Sequence, residues 1–186
     1  MNYANILTCS RLLFAALFAV FLFWEEPLGK YVALFFFVLA SLTDYWDGRI
    51  ARSLGQISQF GKLMDPIADK VLTLAAFFSF WWLSLVPLRW VVIIVMRDLI
   101  LTGVRFRLPP ESKGRSARAS GKQKTFLQIV YILGVLIYLI ARESRHWDPA
   151  WDGRALMAVQ IGMILIVMVT VLSGLQALLM IQKERR

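Results

Sequence analysis

Asp44-Tyr45-Trp46-Asp47-Gly48-Arg49-Ile50-Ala51-Arg52, eight intervening residues, and then Gly61-Lys62-Leu63-Met64-Asp65-Pro66-Ile67-Ala68-Asp69 is the stretch on which the reading of this chain turns. It sets four carboxylates between two strongly apolar runs, where a helix would otherwise continue into lipid. An aspartate well inside a spanning helix costs roughly 2.5–3.5 kcal/mol, so four at depth would cost about 10–14 kcal/mol, comparable to the whole stability of a domain at ~5–15 kcal/mol. Something must offset that cost, and a pair of divalent cations is the simplest agent. Asp44, Asp47 and Gly48 fall at i, i+3 and i+4, with Ala51 and Arg52 a turn further on, so one helix face carries them all. Asp65 and Asp69 stand at i and i+4 on the next helix, with Gly61 a turn earlier. Two antiparallel helices across a short turn would bring the four carboxylates together. Their oxygen-only chemistry suits Mg2+ or Mn2+, and no His or Cys lies near enough to recruit zinc.

Outward from this stretch, the 186 residues are 59% hydrophobic with a positive mean hydropathy, and the apolar residues come in blocks long enough to cross a bilayer. A soluble domain of this length could not enclose so much apolar surface. The spacing predicts spans from about Asn5 to Trp24, Lys30 to Ile50, Lys62 to Leu85, Pro87 to Leu108, Gly121 to Ala141 and Arg154 to Ile181. Six spans and no strand alternation imply an all-α integral membrane protein, one transmembrane domain over residues 1–186 with a polar metal-binding cleft at its cytoplasmic side. Tight connections follow the first span, at Glu25-Glu26-Pro27-Leu28-Gly29, and the third, at Ser84-Leu85-Val86-Pro87. A polar loop is expected from Pro109 to Ser120. The first span has no basic start and no small-residue cleavage site, so it reads as a retained helix rather than a signal peptide.

The net charge of +9 would raise nucleic acid as a partner for a soluble domain. Here the basic residues gather at the ends of apolar runs, which points instead to anionic head groups and phosphorylated substrates. Of the 21 Lys and Arg, 16 fall on the side of the aspartate stretch, some of them inside spans rather than loops, and five (Lys30, Arg89, Arg142, Arg145 and Arg154) on the other; leaving out those inside spans does not reverse the sign. The inside-positive rule then puts both termini and the aspartates in the cytoplasm. Trp81, Trp82, Trp90, Trp147 and Trp151 would form an aromatic belt at the outer interface. The lone Cys9 excludes an intrachain disulfide and reads as apolar filling. Asn5, Thr8 and Arg11 recur every three residues, and two readings stay open: an interfacial edge turned to water, or an edge facing the polar cleft, where Asn5 and Thr8 would meet the lipid-linked substrate.

The motif Asp44-x-x-Asp47-Gly48-x-x-Ala51-Arg52, eight residues, Gly61-x-x-x-Asp65-x-x-x-Asp69 closely resembles the signature of the CDP-alcohol phosphotransferase family. The resemblance implies a six-helix membrane enzyme, usually a homodimer, in which two metal ions hold the pyrophosphate of a CDP-linked lipid. It further implies that Asp44 and Asp65 bridge both metals, Asp47 completes one site and Asp69 touches the second. Asp69 is also the implied general base, and Gly48, Arg52, Ser58 and Gly61 match positions lining the cytidine and phosphate pocket. The physical chemistry agrees. Phosphoryl transfer asks a protein mainly to position reactants and neutralise charge, glycine at 48 admits a nucleotide ring against backbone, and Arg52 can fork onto a phosphate.

In the second half, Arg97-Asp98, Thr102-Gly103-Val104-Arg105 and Ser120-Gly121-Lys122-Gln123-Lys124-Thr125 with Gln128 are similar to the phosphatidylglycerophosphate synthases of that family, which join glycerol 3-phosphate to CDP-diacylglycerol and release CMP. Asp98 departs from the usual Arg-Glu pair, and the segment from Arg107 to Arg118 is more basic than expected. Arg97 and Arg105, eight apart, lie within about 80 degrees of each other around a helix. With Lys122 and Lys124 they form a cationic set suited to the phosphate of the acceptor, although Asp98 reads equally as the ion-pair partner of Arg97. His146 and Cys9 offer no nucleophilic pair, so direct in-line displacement is expected. The alternatives are a cardiolipin synthase of the same fold and a cation channel or transporter. The second leaves Gly48, Arg52 and Gly61 without a role. A bacterial inner membrane is the expected location, with membrane lipids around the chain.

Overall fold

The structure, a computed structural model, describes the backbone of residues 3–54, 59–106, 115–144 and 147–184, and side chains within 9–43, 70–104, 124–144 and 147–182. Among the described residues there are six α-helices and no strand: α1 (Tyr3–Leu22), α2 (Pro27–Leu54), α3 (Gln59–Trp82), α4 (Leu88–Phe106), α5 (Arg115–Arg142) and α6 (Asp152–Glu184), with a 3-10 turn at Pro149–Trp151 before the last. Two segments are long and apolar enough to cross a bilayer, Lys124–Arg142 and Pro149–Gln182, and shorter apolar helical segments run over Cys9–Leu22, Pro27–Thr43 and Lys70–Trp82. Most boundaries differ from the sequence reading by up to three residues, and two depart further. Helix α2 runs on past Ile50 to Leu54, and α5 begins at Arg115, inside the segment expected to be a loop up to Ser120. Hydropathy ends where the polar residues begin, whereas Arg and Ala sustain a helix without an apolar face.

The chain divides into two compact units, the first comprising Met1–Ser79 and Ile132–Pro149, the second Phe80–Tyr131 and Ala150–Arg186. In the first, α1 and α2 form a hairpin. Its turn is set by Pro27, whose fixed φ suits the first position of a helix, and by Gly29, whose amide donates to the Glu26 carbonyl at 2.8 Å. A Cβ on Gly29 would lie 2.7 Å from both the Phe21 carbonyl oxygen and Trp24 Cβ, so only glycine lets the two helices approach this closely. Ala15, Phe18 and Leu22 on α1 and Ala33, Phe37 and Ala40 on α2 are buried, at spacings that give each helix one inward stripe. Small and large residues alternate along the seam, and rings interleave there: Phe18 on Phe37 at 5.6 Å and Phe21 on Phe36 at 5.7 Å. Lys30 fastens the end of the hairpin, donating to the Trp24 carbonyl at 2.9 Å and pairing with Glu143 at the end of α5 at 3.0 Å.

In the second unit, α3 ends on a Schellman arrangement. The Leu85 amide donates to the Phe80 carbonyl at 2.9 Å and the Ser84 amide to the Trp81 carbonyl at 2.8 Å, with Ser84 in the left-handed region at φ 59°. Tyr131 on α5 donates its hydroxyl to the Val159 carbonyl on α6 at 3.0 Å. Val91, Ile94 and Leu101 of α4 and Val159, Met163, Ile166, Val167 and Ala177 of α6 form the buried apolar side. Trp90 and Trp151 sit at helix starts, where Arg89 lies over Trp90 at 5.3 Å and Arg154 over Trp151 at 5.2 Å; in the first unit, Tyr138 meets Trp147 edge-on at 5.8 Å.

Candidate functional site

Helix α2 is unbroken through Asp44, Asp47, Gly48 and Arg52, and α3 is helical from Gln59 through Gly61, Asp65 and Asp69. The register on which the motif depends is therefore present: i, i+3 and i+4 on one helix, i and i+4 on the next, all within the first compact unit. The side chains of these residues lie outside the described ones, as do those of Asn5 and Thr8 on α1, Arg105 at the end of α4 and Lys122 on α5, and Ser58 lies outside altogether. As a donor set, four carboxylates on two successive helices fit hard divalent cations.

Two of the four residues assigned to the acceptor phosphate are described, and the second unit brings them together. Arg97 on α4 donates from Nη1 to Asp98 Oδ1 at 3.0 Å, and Lys124 on α5 donates from Nζ to the same oxygen. Asp98 is thus a shared counter-ion joining α4 to α5. The side chains of Arg97, Asp98 and Lys124 are 15%, 9% and 5% exposed, so the cluster sits where unpaired charge is costly. Sequence spacing suggested the pairing of Arg97 with Asp98. The convergence of Lys124 on that carboxylate could not be read from residues 26 positions apart.

A third helix completes the cluster with residues the sequence reading passed over. Arg97 Nη2 donates to Ser173 Oγ on α6 at 2.7 Å, and that hydroxyl donates to the Thr170 carbonyl at 3.0 Å. Next to it, a Cβ on Gly174 would lie 2.8 Å from Arg97 Nε and 3.1 Å from Cγ. Gln128, one turn beyond Lys124, is buried with Thr170 and Ser173. Arg97 Nε, Gln128 Nε2 and Thr170 Oγ1 are buried and have no hydrogen-bond partner among the described residues. Buried polar groups are ordinarily satisfied, so this cluster keeps donor capacity that a bound polar group would use.

An all-helical chain with two bilayer-length apolar helices, carboxylates at helical spacing on α2 and α3 and an Arg–Asp–Lys cluster between α4, α5 and α6 has the parts of a membrane-associated enzyme acting on phosphorylated compounds. The profile of the CDP-alcohol phosphatidyltransferase family matches residues 1–182, and the chain belongs to that family. It is similar to the CDP-diacylglycerol–glycerol-3-phosphate 3-phosphatidyltransferase of Bacillus subtilis, 30% identical over 154 residues, covering 76% of this chain and 80% of the relative. The protein of the same description from Cereibacter sphaeroides is 35% identical over 167 residues, 80% of this chain and 73% of the relative. A probable phosphatidylglycerophosphate synthase of Mycobacterium tuberculosis is 37% identical over 139 residues, 70% of this chain and 64% of the relative.

Proposed function

We propose that this chain transfers the phosphatidyl group of CDP-diacylglycerol to glycerol 3-phosphate, giving phosphatidylglycerophosphate and CMP. The observation that carries the reading is the similarity, across most of the chain, to relatives described as that phosphatidyltransferase. The Arg97–Asp98–Lys124–Ser173 cluster supports it, since a cationic group keeping spare donors suits an acceptor that bears a phosphate monoester.

Asp44, Asp47, Asp65 and Asp69 would hold two divalent cations, Mg2+ or Mn2+, which would supply positive charge to neutralise the pyrophosphate. Gly48 and Gly61 leave room for the nucleotide against bare backbone, and Arg52 and Ser58 donate to its phosphates, with Asn5 and Thr8 at the edge of the same pocket. Asp69 takes the proton of the acceptor hydroxyl as its oxygen attacks the diacylglycerol-linked phosphorus. The new bond joins that oxygen to phosphorus, and the bond to the bridging oxygen breaks, CMP leaving with the electron pair. Arg97, Arg105, Lys122 and Lys124 hold the acceptor's phosphate so that its hydroxyl lies in line. Six membrane spans, a cleft at the cytoplasmic face of a bacterial inner membrane, cytoplasmic termini and a homodimer belong to the same reading; the 16-to-5 division of Lys and Arg supports the orientation.

The test is release of CMP from CDP-diacylglycerol by the purified protein, across a panel containing glycerol 3-phosphate, phosphatidylglycerol, serine and a neutral sugar alcohol, with and without Mg2+. Turnover with glycerol 3-phosphate that depends on Mg2+ is expected. Turnover with phosphatidylglycerol alone would make the chain a cardiolipin synthase. CMP release with none of them would overturn the reading.

A further inference from the structure

Arg97 extends from α4 within a unit built largely of apolar side chains, and an arginine there has four side-chain torsions to fix before its guanidinium can meet a ligand in one orientation. Neither Leu99 nor Ile100, its exposed apolar neighbours, can direct it. The fixing groups stand on α6, 76 residues away in sequence.

We propose that Ser173 and Gly174 are positioning residues for Arg97, setting the plane of its guanidinium toward the phosphate of the acceptor; this rests on the reading of Arg97 as an acceptor-phosphate contact. Ser173 is itself oriented. Its hydroxyl proton is committed to the Thr170 carbonyl at 3.0 Å, so a lone pair is presented to Arg97 Nη2 at 2.7 Å. Gly174 acts on the stem. The Cβ that any other residue would carry falls 2.8 Å from Nε, 3.1 Å from Cγ and 3.5 Å from Cδ, so three consecutive atoms of Arg97 lie along bare helix backbone. These atoms can shift only by disturbing the contacts at the tip, because the side chain is held at its root by α4 and at its tip by Asp98 and Ser173. With one proton of Nη1 given to Asp98 and one of Nη2 to Ser173, each terminal nitrogen keeps a second proton. Those protons are what the guanidinium has left to offer the oxygens of a phosphate, and their value depends on the plane being held beforehand.

The experiment measures CMP release by the full-length protein, varying glycerol 3-phosphate at saturating CDP-diacylglycerol and then the reverse, with a thermal melt of each variant. Ser173→Ala is expected to raise the KM for glycerol 3-phosphate about tenfold, the loss of one charged hydrogen bond, with the KM for CDP-diacylglycerol within about twofold. Ser173→Thr, which keeps the hydroxyl, should recover most of that loss. Gly174→Ala should move the same KM by displacing the stem. Once Arg97→Lys has removed the guanidinium, Ser173→Ala should add little further, because both act through one group. A rise for Arg97→Lys without one for Ser173→Ala, effects that add, or equal loss against both substrates would overturn the positioning role and leave the site reading standing. No change in Arg97→Lys would remove the site reading and the proposal with it.

Discussion

Asp98→Asn is the most telling perturbation of this structure. Asp98 Oδ1 accepts from Arg97 Nη1 at 3.0 Å and from Lys124 Nζ, and all three side chains are at most 15% exposed. At an effective dielectric of about 20, unit charges in contact at that distance attract by about 5 kcal/mol. The loss is partly offset because a neutral amide need not be stripped of water as a carboxylate must. What remains is two cations left facing each other without their shared counter-ion, and removing one partner of such a buried set costs about 3–5 kcal/mol. Against a total of ~5–15 kcal/mol, that is about a fifth of the fold's stability at the least. Unfolding in mixed micelles, followed by tryptophan fluorescence, measures it directly. The double variant Asp98→Asn with Lys124→Met removes one of the stranded charges and should recover a substantial part. A loss below about 1 kcal/mol for Asp98→Asn, or a double variant less stable than the single, would refute the shared counter-ion.

Three further outcomes follow from single positions. Gly29→Ala drives a methyl into the Phe21 carbonyl oxygen and Trp24 Cβ, atoms that move only with the backbone, so a loss of about 1–3 kcal/mol is expected in the same unfolding assay. Ser84→Gly relieves a left-handed conformation at φ 59° and should stabilise by about 0.5–1 kcal/mol, a higher melting temperature being the readout. Asp69→Asn should abolish CMP release at neutral pH while the protein still binds CDP-diacylglycerol in a filter assay; near-normal turnover would remove Asp69 as the base.

The apolar runs made the helices legible, because each run coincides with most of one helix; among the described residues two segments, Lys124–Arg142 and Pro149–Gln182, reach the length of about 20 apolar residues that a crossing demands. The starts and ends of the polar extensions were not legible. Arg115–Ser120 joins α5, yet carries no apolar period to announce a helix. In the candidate site, local spacing exposed whatever lies on one helix: the two carboxylates of α2, the two of α3, Arg97 with Arg105. Ser173 and Gly174 escaped because a lone serine and glycine within a Leu- and Val-rich helix look like packing residues, and their significance appears only when α4 lies against α6. The small polar break in the run Val171-Leu172-Ser173-Gly174-Leu175 was the one available signal.

The arrangement of α4, α5 and α6 also bears on what surrounds the protein. A long apolar helix in a water-soluble protein is mostly buried, but only 33% of the apolar window in Lys124–Arg142 and 28% of that in Pro149–Gln182 is covered. The exposed side is largely apolar. On α4 it carries Val92, Met96, Leu99 and Ile100, on α5 Phe126, Val130 and Ile137, and on α6 Ile161, Leu165, Met168, Leu172, Leu175 and Leu179, at spacings that make each a continuous helical stripe. The covered side holds Asp98, Lys124, Gln128, Thr170 and Ser173 among the aliphatics. Charge inside and hydrocarbon outside inverts what water selects, since stripes of this extent would drive aggregation, whereas in lipid every polar group must find its partner within the protein. Replacing two outward leucines, Leu165→Lys with Leu172→Lys, separates the two cases: lost membrane recovery on fractionation is the outcome for a lipid-facing stripe, and unchanged recovery would mean that another protein surface covers it.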